Sequence, residues 1–247
     1  MNSTNRRSNK KRMLQAMVVC PFMLTLNLYA GGQTLIFSDD FNRNESQEAK
    51  EEIGNGWNTN SKSRAGGNKQ VDLRDGAMHI YRHEVADHAV SVTHPAEFKN
   101  GSIELRFKLE DEKDSLGLDL ADQQLKTVHA GHLFIVRIGT RYIDIIDHKT
   151  GGMNLEYHEA KKARQLTPDQ KKVLAQKTKR LQHAQKVGAW HGLKIDMAGD
   201  TITVFIDGEN VGAFSSEGFA HPTKRMLRLS VPKNAVVDDL KIFSRAE

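Results

Sequence analysis

Residues 190–214 read WHGLKIDMAGDTITVFIDGENVGAF, and this stretch decides the fold. Leu193, Ile195 and Met197 alternate with polar neighbours, Gly199-Asp200 turns, and Ile202, Val204 and Ile206 carry the apolar face back. Asp207-Gly208-Glu209-Asn210 turns again into Val211 to Phe214. A period of two, broken by Gly and Asp at the turns, is the pattern of consecutive antiparallel hairpins. It argues for an all-β fold and carries little chemistry.

The same grammar extends in both directions. Ser102 to Glu110 alternates most cleanly, with Ile103, Leu105, Phe107 and Leu109 on one face. Leu133 to Ile138 and Tyr142 to Asp147 read as a hairpin through Gly139-Thr140-Arg141, preceded by a strand at Leu116 to Leu120. Towards the N-terminus, strands are expected at Leu35 to Phe41, Lys69 to Leu73, Ala77 to His83 and Ala89 to His94, the last closed by Pro95. Asn42 to Gly56 reads as a loop with one helical turn. Met226 to Val231 and Val236 to Phe243 are the final strands, and the first and last strands are expected to pair side by side.

One segment breaks the pattern. Thr167-Pro168-Asp169-Gln170 is a capping box with proline at the first helical position, which predicts a helix running to about Lys186. Residues 156–187 carry nine Lys/Arg against three Asp/Glu, a net of +6, so this helical insertion is either a solvated face or a basic arm for an anionic partner. The fold class is therefore an all-β, two-sheet antiparallel sandwich with a helical insertion near 156–187.

At the N-terminus, five Lys/Arg between Arg6 and Arg12 precede an apolar run from Met13 to Leu28, the layout of a secretory signal peptide over residues 1–30. Export to the periplasm or beyond is the expectation, with residues 31–247 as one sandwich domain and no membrane span once the signal is cleaved; an uncleaved anchor is the alternative. Without that segment the charge balances at 31 Lys/Arg against 31 Asp/Glu, which removes the argument for nucleic acid as a partner. The one cysteine, Cys20, lies in the same segment, so residues 31–247 hold no disulfide, no thiolate nucleophile and no cysteine metal site.

Several stretches together carry a family resemblance: IFSDDFNR at 36–43, the Asp75 to Ile80 hairpin, SIELRFKL at 102–109, the hairpins at 188–212 and VDDLKIF at 237–243. They resemble secreted bacterial concanavalin A-like jelly-roll domains, and most of all the 3-keto-disaccharide hydrolase-like domain. The resemblance implies a concave sheet able to hold a sugar chain, with carbohydrate as the partner and a glycoside hydrolase-like activity inherited from relatives. This chain departs from the family's Asn-Ser-Gly loop, reading Asp114-Ser115-Leu116-Gly117, and has no Glu in Tyr142 to Asp147. The Glu-Asp-Glu ladder of family 16 glucanases is also missing: the comparable positions are Tyr142, Asp144 and Ile146.

Asp144 is therefore the candidate catalytic carboxylate, without the second carboxylate that glycoside hydrolysis ordinarily uses. Trp57, Tyr81 and Tyr142 are candidate aromatic platforms, and Arg106 and Arg137 candidate hydrogen-bonding groups for a sugar. For the arginines the competing reading is a cross-strand ion pair, with Glu104 or Asp144. His79 and His83 share a strand face but stand roughly 13 Å apart along it, too far to chelate one ion. No metal or cofactor is expected; His129 and His132, with Asp119 and Asp122 upstream, are the one place in the sequence where a single ion could sit. Enzyme, binding module and envelope protein remain open as readings of the sequence.

Overall fold

The structure, a computed structural model, describes residues 32–246, Met1 and the backbone pairing of Leu28–Tyr29. The remainder of the expected signal peptide, including Cys20, lies outside the described residues.

The strands in chain order are β1 Leu28–Tyr29, β2 Gln33–Asp39, β3 Asn58–Thr59, β4 Val71–Arg74, β5 Ala77–Tyr81, β6 Val90–Phe98, β7 Asn100–Lys108 and β8 Ser115–Ala121. They continue with β9 His132–Gly139, β10 Tyr142–Asp147, β11 Thr178–Gln182, β12 Trp190–Ala198, β13 Thr201–Ile206, β14 Glu209–Ser215, β15 Lys224–Val231 and β16 Asn234–Arg245. Among the described residues three α-helices, α1 Ser61–Arg64, α2 Leu155–Lys162 and α3 Pro168–Gln176, interrupt them. The strands form two sheets. One has the order β1-β2-β16-β7-β12-β13-β14, with β5 and β4 attached through β16; the other has the order β11-β10-β9-β8-β15-β6-β3.

Alternation explains why the sheets stack. Ile103, Leu105, Phe107, Leu193, Ile195, Ile202 and Val204 of the nine-stranded sheet are buried against Leu116, Leu118, Leu120, Phe134, Val136, Ile143, Leu227 and Leu229 of the seven-stranded one. Each such side chain contributes about 1.5–3 kcal/mol by leaving water, which is what replaces disulfides in this domain. Tight turns keep the register: Asp207 and Gly208 have φ of 52° and 84°, the paired positive values of a type I′ hairpin. As expected from the sequence, the first long strand β2 and the last strand β16 lie side by side, antiparallel.

Three local expectations are corrected. Strand β6 does not stop at Pro95 but runs on to Phe98, because the register of its partner β15 shifts between Lys224 and Met226, opposite the proline. A bulge is where a sheet tolerates a missing N–H. The helical turn expected within 42–56 occurs instead at α1. The capping box at Thr167 and Gln170 forms, but α3 ends at Gln176 rather than near Lys186. Residues 178–182 leave the helix to become β11, pairing along β10 from Tyr142↔Gln182 to Ile146↔Thr178. Neither α2 nor α3 buries a residue, so little holds the chain helical where an unpaired strand edge offers backbone hydrogen bonds.

Candidate functional site

The outer face of the seven-stranded sheet gathers the polar side chains that the core does not use. On β10, Tyr142, Asp144 and Ile146 point outward, while Ile143, Ile145 and Asp147 point in. Asp144 pairs across the sheet with Arg137 on β9 and Arg180 on β11. Arg180 takes both carboxylate oxygens, Nε to Oδ1 at 2.7 Å and Nη2 to Oδ2 at 2.8 Å, and its guanidinium lies 3.7 Å from the centre of the Tyr142 ring. Arg137, left without that carboxylate, makes no hydrogen bond or ion pair with any described residue. It lines a pocket of about 170 Å³ with Lys113, Ser115, Arg141 and Tyr142.

A second polar cluster lies further along the same face, beyond Ile135 and Ile146. Asp119, 2% exposed, accepts from His132 Nδ1 at 2.6 Å, and Arg228 on β15 donates to its other oxygen at 3.2 Å. Arg228 Nη1 also sits 2.8 Å and 3.0 Å from the two ring nitrogens of His132. His148, just past β10, meets His132 edge-on at 5.7 Å between ring centres, and its enclosed Nδ1 has no hydrogen-bond partner. Burial pushes the His148 imidazole down to about 4; Asp119 opposes that shift, and His132 and Arg137 reinforce it. The inserted segment covers the end of this cluster. Its start is tied to the 127–129 loop through Leu155 N–H to Thr127 O and His129 N–H to Met153 O, which sets His158 of α2 flat against His129 at 4.2 Å.

The six candidates from the sequence therefore divide. Asp144, Arg137 and Tyr142 share this outer face. Trp57 is 7% exposed in the core, where Nε1–H donates to Asp39 at 2.8 Å. Burial raises the Asp39 carboxyl, but Arg43, Asn55, the Phe41 N–H and Trp57 outweigh it and leave it below its ordinary value. Arg106 and Tyr81 sit on the outer face of the nine-stranded sheet. There Arg106 pairs with Asp238 at 3.1 Å and lies 4.8 Å from the Trp190 ring centre, so its ion-pair partner is Asp238 rather than Glu104. A wider cavity of about 630 Å³ opens beside it, where Lys194 pairs with Glu104 at 2.9 Å and Lys241 also lines the wall. The outer face of the other sheet differs in holding a half-buried arginine, Arg137, and an enclosed imidazole nitrogen, His148 Nδ1, without hydrogen-bond partners among the described residues. Asp147 faces inward and is fully buried, holding Thr150, Ser216 Oγ at 2.5 Å and Gly218 N–H at 3.1 Å. Among the described residues no group of three or more His, Cys, Asp or Glu is arranged to hold a metal ion: Asp119 holds His132, and Asp122 holds His221 at 3.0 Å.

Sequence reasoning missed Arg180, Arg228 and His148. Arg228 carried a usable signal, since it alternates with Leu227 and Leu229. Arg180 was hidden by the helical reading of its segment.

Comparison with known proteins places the architecture. The family model of the 3-keto-alpha-glucoside-1,2-lyase-like domain matches residues 49–234, most of the chain. The chain belongs to that family. It is a concanavalin-like jelly-roll family, and the two-sheet sandwich is its fold. Among solved structures, the laminarinase from Rhodothermus marinus is similar with a TM-score of 0.57 at 12% identity, over 86% of this chain and 98% of that one. The laminarinase from Flavobacterium sp. UMI-01 gives 0.55 at 15% identity, over 85% and 100%. The GlcNAcα1-4Gal releasing endo-β-galactosidase from Clostridium perfringens gives 0.57 at 10%, over 88% and 64%. At these identities the likeness is one of fold, and one fold carries several activities. No curated protein matches the sequence. Among the described residues no helix is long and apolar enough to cross a membrane.

Proposed function

We propose that this carbohydrate-related domain binds a glycoside on the outer face of the seven-stranded sheet and cleaves it by elimination beside a keto group. The observation that carries the reading is the Asp119–His132 pair, a buried carboxylate 2.6 Å from Nδ1, next to the unpartnered Nδ1 of His148. In a 3-keto glucoside the ketone makes the proton on C2 acidic. A base removes that proton, its electron pair becomes the C1=C2 double bond, and the C1–O bond breaks, the departing oxygen taking up a proton. Such a base works best when a second group fixes its tautomer. Asp119 accepting from Nδ1–H leaves the lone pair of His132 on Nε2, which accepts from Arg228 Nη1 at 3.0 Å until the substrate draws that guanidinium to the enolate oxygen that develops on C3 and frees Nε2 as the base. Asp144, with both oxygens held by Arg180, enters as the anchor of Arg180 and Tyr142 rather than as the group that moves a proton.

The test is turnover of a synthetic 3-keto glucoside, followed by the absorbance of the unsaturated ketone and by loss of deuterium from C2. The expected result is turnover that falls at least a hundredfold in His132→Gln, with unchanged circular dichroism. Turnover indifferent to His132 and Asp119, or glycoside binding indifferent to every substitution on this face, overturns the reading. Export is part of the same proposal. It rests on the basic Arg6–Arg12 stretch and the apolar run after it, and cell fractionation tests it. A second reading, a contact protein using the basic insertion, draws on the absence of buried residues in α2 and α3. Retention on a sulfated matrix that survives deletion of 156–187 would remove it.

A further inference from the structure

Arg137 is placed where an arginine ordinarily finds a carboxylate. It stands directly across from Asp144 on the neighbouring strand, at the cross-strand spacing where opposite charges pair. Arg180 pre-empts that pairing by gripping Asp144 from the other side with both N–H groups. The result is a half-buried guanidinium that has a carboxylate neighbour and no partner. Its pocket holds a second unengaged cation, Lys113, whose ammonium makes no hydrogen bond with a described residue. The other charges around the opening are already used. Arg141 pairs with Glu112 at 2.8 Å, and the Asp114 carboxylate accepts from the backbone N–H groups of Glu110, Asp111 and Asn234. The unpaired charge of the pocket is therefore positive. Tyr142, braced by Arg180, walls one side with an aromatic ring, the kind of surface on which a sugar ring rests.

We propose that this pocket is a subsite for an acidic sugar, whose carboxylate is bound by Arg137 with Lys113 as the second cation. The planar fork of a guanidinium matches a carboxylate with two parallel N–H···O bonds, a geometry this face already displays in Arg180–Asp144. The inference rests on the reading that the ligand of this face is a glycoside, and it adds which class: one with a uronic acid residue at this end.

Calorimetric titration of the full chain with three probes tests it: a uronate-containing disaccharide, the neutral disaccharide of the same linkage, and a sulfate ester of the neutral sugar. The expected result is at least tenfold tighter binding of the uronate, a preference that shrinks with added salt and disappears in Arg137→Gln. Lys113→Ala should reduce it in part. Because Arg137 makes no hydrogen bond in the fold, Arg137→Gln should unfold at the wild-type denaturant midpoint. Equal binding of the acidic and neutral sugars overturns the acidic subsite and leaves the glycoside reading standing. A sulfate ester that binds as tightly as the uronate overturns the carboxylate assignment. Failure of all three sugars to bind overturns the glycoside reading itself.

Discussion

His148 is held neutral by its surroundings, and that has a measurable cost in acid. Its folded value of about 4 lies below the ordinary 6.5, chiefly because of burial. Between those two values the unfolded chain takes up a proton that the folded chain refuses. Stability is therefore complete above about pH 6.5 and is lost as pH falls toward 4, by up to about 3 kcal/mol. Denaturant titrations at pH 6.5 and 5 should show a drop in the wild type and a smaller one in His148→Gln. Gly218 is as tightly constrained. A Cβ there would fall 2.0 Å from Asp147 Oδ1, inside the cluster that joins Thr150, Ser216 and Gly218. Gly218→Ala should cost about 2–3 kcal/mol or more, read from the denaturation midpoint. The outward orientation of Asp144, Arg137 and Tyr142 was legible, because alternation fixes which face a strand residue takes. What satisfies each of them was not. Nothing about Trp57 in its polar loop announces the buried carboxylate of Asp39, and nothing about Asp144 announces Arg180.

Strand β11 is the element that the chain's pattern concealed and the site most needs. Its capping-box neighbour α3 was readable from four residues, because a cap is a local interaction. The strand itself answers to a distant edge, β10, and so leaves no local trace. It also helps close the side of the sandwich: Leu181 points inward onto Gly212 of β14, where a Cβ would come within 2.8 Å of its methyl carbon. Gly212 itself has φ of 149°, which disfavours any side chain. Gly212→Val should displace Leu181, detach β11 and raise hydrogen exchange at 178–182 ahead of the rest of the sheet. Arg180→Ala should lower the denaturation midpoint, since it leaves a nearly buried carboxylate without its partner. A double-mutant cycle with Asp144→Asn checks that the cost belongs to this pair.

Across the whole sandwich, a buried lysine sets an alkaline counterpart to the acid response. Lys224 is 1% exposed and donates to the carbonyl oxygens of Lys99, Phe219 and His221, tying the 3-10 turn at Glu217–Ala220 to the end of β6. Burial lowers its amine to about 8 from 10.5, with Lys149 and Lys99 adding to the shift. In that window the unfolded chain binds the proton and the folded chain does not, so stability should rise from pH 8 toward 10.5. Lys224→Met should remove the rise. The two-sheet sandwich was readable from alternation and hairpin turns, and so was the pairing of the first long strand with the last. The switch of β16 among β5, β7 and β2 was not, because its register breaks between Asp238 and Lys241 and again between Ile242 and Phe243.

That strand also sets a timetable. Residues 234–245 hydrogen-bond to strands that begin as early as Gln33 and as late as Asn100, so the middle of the nine-stranded sheet is filled by a strand synthesised after all of its partners. Until it arrives, β2 and β7 lie beside an empty slot, each with one edge bare, and the nascent chain is neither folded nor safe from its neighbours. A ribosome stalled at residue 231 should display a protease-sensitive chain, while one stalled far enough beyond 247 for β16 to emerge should display a resistant one. Folding that waits for a strand made after all of its partners keeps the domain open until β16 is in hand.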